Sequence, residues 1–188
     1  MFTKNYKTWQ KMVFNFENFA YFKDAVGVSI QANVNYCVNA NMGRIMKVAR
    51  CTTASMAESS SSSKNGLENV TTNIGLYFGS GSTAPTEDDY ALENMITSGL
   101  SIANGSVMVN DEDGVHTVSV SHMLTNTSSE EIVVREVGAF GEVGRYSNSK
   151  YYYHLVLFER TVLTDPMVIP AGKSKMVNYV LTFNQPSQ

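Results

Sequence analysis

The sequence predicts an all-β protein: a β-sandwich of the jelly-roll or immunoglobulin-like type, with a short internal helix and a helical N-terminal arm. Short apolar runs follow one another through the second half of the chain, and turns rich in Gly, Pro and Asn separate them. This pattern is typical of sandwiches and barrels. With 188 residues, 43% of them hydrophobic, the chain can bury a core without metals or disulfides.

The helical arm is predicted to cover residues 1–24. Between Asn5 and Phe22, apolar side chains recur at the i, i+3, i+4, i+7 spacing of an amphipathic helix. Such a stripe at a terminus either completes the core or docks on a neighbouring subunit, and we expect it to be an assembly interface. The residues of this interface are Trp9, Met12, Val13, Phe16 and Phe19.

Residues 25–188 are predicted to form the sandwich domain, with a Ser-rich surface loop near 58–66. The capping-box pair Thr86 and Asp89 predicts the short helix, from about Glu87 to Ile96. Alternating apolar residues and turn signals predict the strands. The main ones are Val70 to Phe78, Val115 to Leu124, Ile132 to Phe140, Tyr151 to Leu163 and Met176 to Phe183.

The strand from Ile132 to Phe140 supports the most specific expectations. It is apolar and lies between turns, so Val134 and Val137 are expected in the core. Arg135 and Glu136 are neighbours and should point to opposite faces of the sheet. We expect Glu136 to be the buried one and to bind a backbone N–H, an Arg or a Lys, because an unpaired buried charge is costly.

Charge and hydropathy exclude several classes of partner. The formal net charge is −3 and Lys and Arg are scattered, so no nucleic-acid binding is expected. No apolar run approaches the roughly 18 residues of a membrane span. The N-terminus lacks the apolar core of a secretory signal, which favours a protein made in the cytoplasm.

No catalytic, cofactor-binding or metal-binding residues are predicted. His116 and His122 share a strand face without a third ligand, and no GxSxG element accompanies the serines. Cys37 and Cys51 belong to no CxxC motif, so they are two free thiols or one disulfide. Neither acidic turn, at 87–89 or at 111–113, has the spacing of a calcium loop.

Three ordered segments carry a further signal. They read GSGSTAPT at residues 79–86 with Asp89 and Leu92 following, IVVREVGAF at 132–140, and LFERTVL at 157–163 followed by IPAGKS at 169–174. In order and spacing they resemble the GTGTTAPT…D..L, I.V.EIGLF and LLARTVL…I.AG.S series of virion proteins of tailed bacteriophages. Ser82 replaces the usual Thr and Ala139 the usual Leu, and residues 1–69 have no counterpart.

The resemblance implies a non-enzymatic structural subunit of a phage particle, at the tail, neck, fibre or capsid surface. Its expected partners are other virion proteins and further copies of itself. The expected location is the virion, after synthesis in the cytoplasm of the host bacterium.

A glycan- or receptor-binding module of a fibre is the alternative function. Tyr146 and the run Tyr151, Tyr152, Tyr153 and His154 could stack on the sugar rings of a host-surface glycan. Tyr151 and Tyr153 also share one sheet face, so they can equally well cover the core or an interface.

Overall fold

The computed structural model describes residues 1–8, 19–33, 59–61, 75–103, 106–112, 115–147 and 150–184. This part of the chain is all-β, as predicted, and its sheets are antiparallel. The strands are β1 (Phe19–Lys23), β2 (Ser29–Asn33), β3 (Ser59–Ser61), β4 (Gly75–Gly79), β5 (Leu100–Ala103), β6 (Val107–Glu112), β7 (Val115–Asn126), β8 (Ile132–Ser147), β9 (Lys150–Ile169) and β10 (Ser174–Asn184).

The described strands form a hairpin and two larger sheets. β1 and β2 pair only with each other. The β8 sheet has the order β3-β9-β8-β4, and the β7 sheet has the order β10-β7-β5, with β6 also on β7. β5 pairs with residues 123–126 and β6 with residues 115–120, so these two strands lie in line along one edge of β7.

The main core is built by side chains from both large sheets. Leu76 and Phe78 of β4 and Val137 of β8 pack in one cluster with Leu124 of β7 and Tyr179 of β10. Burial alternates along β7, where Val118, Val120, His122 and Leu124 are buried and the residues that alternate with them are only half-buried. The β7 sheet therefore has a core face and an outward face.

The β8 sheet is covered on its other face as well. Tyr77, which alternates with Leu76 and Phe78 along β4, joins Phe140, Leu155 and Leu157 in a second apolar cluster. The Tyr77 and Phe140 rings meet edge to face, with centroids 4.9 Å apart. The strands of this sheet are thus apolar on both faces, as the sequence around Val134 indicated.

A bulge in β8 explains how Val134 and Val137 share the main core. Both are fully buried, which confirms the prediction for them. Their spacing of three would place them on opposite faces of a regular strand. The pairing with β9 shifts between Val134 and Glu136, and this irregularity absorbs one residue. Arg135 is exposed, whereas Glu136 is fully buried.

Asn126 joins the end of β7 to the β9–β10 turn. Its side-chain amide donates to the carbonyls of Ile169 (2.8 Å) and Glu130 (2.7 Å), and its Oδ1 accepts from the Ser128 N–H (2.9 Å). The residue is fully buried. The Asn126 side chain therefore provides hydrogen-bond partners for buried backbone groups where the chain passes from the β7 sheet to the β8 sheet.

The predicted internal helix is absent. Residues 87–96 form turns, bends and a single bridge at Met95. The capping signal is real, because the Thr86 N–H and hydroxyl both bond to Asp89. The backbone beyond it, however, bonds to β4 and to Glu136 rather than to itself.

The prediction of an N-terminal helix is wrong for its last residues. Residues 4–8 are helical, but Phe19 to Phe22 belong to β1, where β2 supplies the backbone partners. The boundary drawn between residues 24 and 25 falls inside the turn of this hairpin. Within the predicted Ser-rich loop, Ser59–Ser61 is strand β3 and pairs with Tyr151–Tyr153.

The first eight residues pack on the β8 sheet. The Thr3 N–H donates to the Phe158 carbonyl (2.9 Å), and the Thr3 hydroxyl donates to the Leu157 carbonyl (2.6 Å). Tyr6 meets the ring of Phe158 edge to face. These contacts cover part of the β9 edge that β8 leaves open.

Candidate functional site

The 80–96 connection, which links β4 to β5, lies against the β8 sheet. The Ser80 N–H donates to the Asn94 carbonyl (2.8 Å), and the Ile96 N–H donates to the Phe78 carbonyl (2.9 Å). The end of the connection thus returns to the strand from which it left. Leu92, in the second half of the connection, is buried in the second apolar cluster.

The Glu136 side chain lies beneath this connection and binds its backbone. Its carboxylate accepts the backbone N–H groups of Gly81 (3.1 Å), Glu93 (3.1 Å) and Asn94 (2.8 Å). It also accepts the Arg160 Nε–H at 2.8 Å. Glu136 is fully buried, and these partners confirm the prediction that it would hold a backbone N–H or a basic side chain.

Arg160 of β9 joins three carboxylates. Besides Glu136, its guanidinium contacts Asp89 at 2.8 Å and Glu93 at 3.5 Å. We call Glu136, Arg160, Asp89 and Glu93 the carboxylate–arginine cluster. Each of the three nitrogens of the guanidinium therefore faces a different carboxylate.

The two outer carboxylates are held in their ionised form. Burial alone would raise the pKa of Asp89, but hydrogen bonds from Arg160 and Thr86 outweigh it and lower the pKa. The hydroxyl and the N–H of Thr83, with the Ser82 N–H, lower the pKa of Glu93.

The pKa of Arg160 moves in the opposite direction. Burial opposes its charge, but the hydrogen bonds and charges of Asp89 and Glu136 outweigh burial and raise the pKa. Arg160, Asp89 and Glu93 therefore stay charged at neutral pH.

Gly79 and Gly81 allow the connection to approach Glu136. Neither residue has a positive φ angle, so space and not backbone conformation favours glycine here. A Cβ on Gly81 would lie 2.6 Å from Glu136 Oε1 and 2.5 Å from the Glu93 Cβ, and one on Gly79 would also collide with Glu136. Gly138 of β8 likewise leaves room for Leu92, whose Cδ2 would lie 2.8 Å from an added Cβ.

The acidic side chains of the turn at residues 87–89 form ion pairs with basic side chains and do not form a cation site. Lys7 contacts Glu87, and Lys4 contacts Asp88, both at the surface. Asp89 contacts Arg160. These pairs tie the N-terminal residues to the 80–96 connection.

The carboxylate–arginine cluster attaches the 80–96 connection to the β8 sheet. Its polar groups bond to one another and to backbone N–H groups, and these bonds hold a long connection on the sheet. Sequence reasoning predicted Glu136 but missed Arg160, Asp89 and Glu93 as its neighbours. A signal for Arg160 was present, because it is a charged residue inside an apolar strand, as Glu136 is.

The predicted assembly interface lies mostly outside the described residues. Trp9, Met12, Val13 and Phe16 fall there, and Phe19 is the first residue of β1, where it pairs with Asn33. The interface therefore stays a prediction. In the alternative tyrosine site, the backbone register sets Tyr151 opposite Tyr146 and Tyr153 opposite Gly144.

The described residues contain no group of three His, Cys, Asp or Glu side chains that could hold a metal. His122 is buried, and its Nδ1 lies 3.1 Å from the Ala103 carbonyl. Cys37 and Cys51 lie outside the described residues. In the same part of the chain, every helical stretch is too short or too polar to cross a bilayer.

Comparisons with protein families, curated proteins and solved structures found no match to this chain.

Proposed function

We propose that this protein is a structural subunit of a tailed-bacteriophage particle and acts at the tail, neck or capsid surface. The observation that carries the proposal is that all three phage-like segments meet in the carboxylate–arginine cluster. GSGSTAPT with the residues after it supplies Gly81, Asp89 and Glu93, IVVREVGAF supplies Glu136, and LFERTVL supplies Arg160.

Convergence of this kind supports the resemblance in a way that each segment alone does not. Short motifs can resemble a family by chance, but chance gives no reason for three of them to bond to one another. Here, residues 55 apart in sequence, such as Gly81 and Glu136, are direct partners. Gly81, Asp89, Glu136 and Arg160 of the motif series thus share one physical role, which is to hold the 80–96 connection on the β8 sheet.

The proposed architecture is a β-sandwich of the jelly-roll or immunoglobulin-like type. It is supported by the main core, to which both large antiparallel sheets contribute buried side chains. A rigid domain with many strands suits a subunit that must present a fixed surface to its neighbours.

Mass spectrometry of purified particles tests the proposal directly. Particles produced by the phage that encodes this chain should contain its peptides in an amount comparable to known structural proteins. Immunogold labelling would then locate it at tail, neck or capsid. Purified particles without the chain, from a lysate that contains it, would overturn the proposed role.

The aromatic stripe of the N-terminal arm is the proposed contact with other virion proteins. Burial of each large apolar side chain contributes roughly 1.5–3 kcal/mol, so several together can hold a subunit in place. The double substitution Trp9→Ala and Phe16→Ala should leave folding intact and reduce incorporation into particles. Loss of folding, or normal incorporation, would contradict an interface at the stripe.

A further inference from the structure

The outer edges of the β8 sheet are closed to further strands. Residues 94–96 return along the outer edge of β4, where they bond to the backbone of Phe78 and Ser80. The outer edge of β9 is covered by β3 and by the N-terminal residues. Beyond them, β9 carries the exposed pair Asp165 and Pro166. A charge and a proline both discourage strand pairing, so this sheet is protected along both edges.

The β7 sheet is protected along one edge only. On the β5–β6 side, two short strands follow one another, and the second ends in Asp111 and Glu112. Short and charged edge strands are common devices against edge pairing. The other edge is β10, and it has none of these devices.

β10 is a long, regular edge strand. It pairs with β7 over all eleven of its residues without a register shift, and no other described strand pairs with it. Its sequence contains no proline, no glycine and a single charge, Lys175. Met176 and Val180 are 60% and 52% exposed. An edge strand of this kind is a template for pairing with another chain.

The side-chain pattern of β10 defines the strand that fits this edge. Val177 and Tyr179 are buried in the main core, whereas Met176, Asn178 and Val180 alternate with them and are exposed. Residues directly opposite each other in neighbouring strands point to the same face of a sheet. A strand that continues the sheet must therefore carry apolar residues at every second position on the core side. β10 itself has this pattern and the same length.

We infer that β10 pairs antiparallel with β10 of a second copy of the chain, about a two-fold axis perpendicular to the sheet. Such an axis keeps the core sides of both copies on the same side of the joined sheet. Pairing over the full strand sets Tyr179 opposite its own counterpart and Asn178 opposite Val180. The same register separates the two Lys175 residues by eight positions, or about 27 Å, so like charges do not meet.

Tyr179 favours a second copy over an unrelated strand. Its side chain is 7% exposed, and its hydroxyl is buried without a hydrogen-bond partner in the described part of the chain. A buried hydroxyl without a partner is costly. Because a tyrosine hydroxyl can both donate and accept, two Tyr179 side chains on opposite sides of the axis can satisfy each other.

Sedimentation equilibrium of the purified full chain over a range of concentrations tests this pairing. The wild-type average mass should rise toward twice the chain mass. Asn178→Glu with Val180→Glu sets carboxylates directly opposite each other and should weaken association at least about tenfold. Asn178→Glu with Val180→Lys sets opposite charges there instead and should associate within about threefold of the wild type. Asn110→Glu, at an exposed position of β6 on the far edge of the sheet, is a further control and should associate like the wild type.

Hydrogen exchange of the wild type provides a second measurement that needs no variant. Amides along β10 should exchange more slowly as the concentration rises, whereas those of β6 should not change. A wild type that stays monomeric overturns the pairing, as does association that the two-carboxylate variant leaves intact while circular dichroism shows it folded. Protection of β10 only after another virion protein is added would likewise replace the second copy with a foreign strand.

The pairing depends on the β7 sheet alone and not on the proposed virion role. A chain that dimerises through β10 in solution but is absent from purified particles would contradict the virion role and leave the pairing standing. A chain that enters particles but stays monomeric in solution would do the reverse.

Discussion

Glu136 shows how a single residue can specify a long piece of the fold. A carboxylate inside an apolar strand is costly unless hydrogen bonds and an opposite charge compensate it. Glu136 receives three backbone N–H groups and one guanidinium N–H. Because its partners lie on the 80–96 connection and on β9, the charge can be buried only when both are in place. Glu136 therefore couples two distant segments.

Glu136→Gln should destabilise the protein by about 3–5 kcal/mol, the usual cost of breaking a buried ion pair on one side. Arg160 would keep its charge while losing its most buried counter-ion. Urea unfolding monitored by circular dichroism measures the effect. Glu131→Gln, the same change at an exposed position, is the control, and a Glu136→Gln loss below about 1 kcal/mol would contradict the anchoring role.

Gly81→Ala tests whether this glycine is required for space. The added Cβ would meet Glu136 Oε1 and the Glu93 Cβ at 2.5–2.6 Å, so the connection must move away from the sheet. Overpacking of this kind costs about 1–3 kcal/mol. Ser82→Ala, at the exposed neighbouring residue, should change the free energy of unfolding by less than about 0.5 kcal/mol. Equal effects at the two positions would show that Gly81 has no steric role.

At the scale of one element, the bulge lets β8 contribute Val134 and Val137 to the main core and also place Glu136 beneath the 80–96 connection. The register shift between Val134 and Glu136 brings Val134 and Val137 to the same core. Val137→Ala should therefore cost about 1–3 kcal/mol through lost burial and the cavity left behind. Val28→Ala, at an exposed valine of similar size, should have little effect. Thermal unfolding of both variants compares them, and equal melting temperatures would show that Val137 is not in the core.

The 80–96 connection should loosen in acid. The pKa values of Asp89 and Glu93 are lowered in the folded state, so these groups stabilise the fold above their unfolded pKa values. That contribution is lost as the pH falls through the lowered folded pKa. The stability difference between wild type and Glu93→Gln should accordingly be largest near neutral pH and shrink toward about pH 3. A difference that is the same at both ends of this range would contradict the role of the charge.

At the scale of the whole molecule, the first eight residues belong to the fold. Thr3 and Asn5 are buried, and Thr3 bonds to the edge of β9. Removal of residues 2–8 should therefore lower the unfolding midpoint substantially, because it exposes Phe158 and opens the strand edge. Lys4→Ala with Lys7→Ala removes only exposed ion pairs, which solvent screens, and should change the unfolding midpoint little. A truncated chain as stable as the wild type would show that these residues do not contribute to the stability of the fold.

The sequence alone determined what depends on local pattern. Alternation and turn chemistry predicted the strands from Val115 to Leu124, Ile132 to Phe140, Tyr151 to Leu163 and Met176 to Phe183, and the structure has β7, β8, β9 and β10 there. The same reasoning predicted the burial of Val134 and Val137 and a partner for Glu136. These properties follow from the residues themselves, because an apolar strand must be covered and a buried charge must be compensated.

The tertiary structure decided where the backbone found its partners. Residues 87–96 carry a genuine capping signal, yet the N–H groups of Glu93 and Asn94 bond to Glu136, about 40 residues away, and no helix forms. Phe19 to Phe22 have a helical pattern, but β2 offers them a strand partner. Local propensity is worth only tenths of a kcal/mol per residue, whereas a buried carboxylate or a free strand edge offers several hydrogen bonds at once. A long-range partner therefore overrides the local pattern, and no window of neighbouring residues contains that partner.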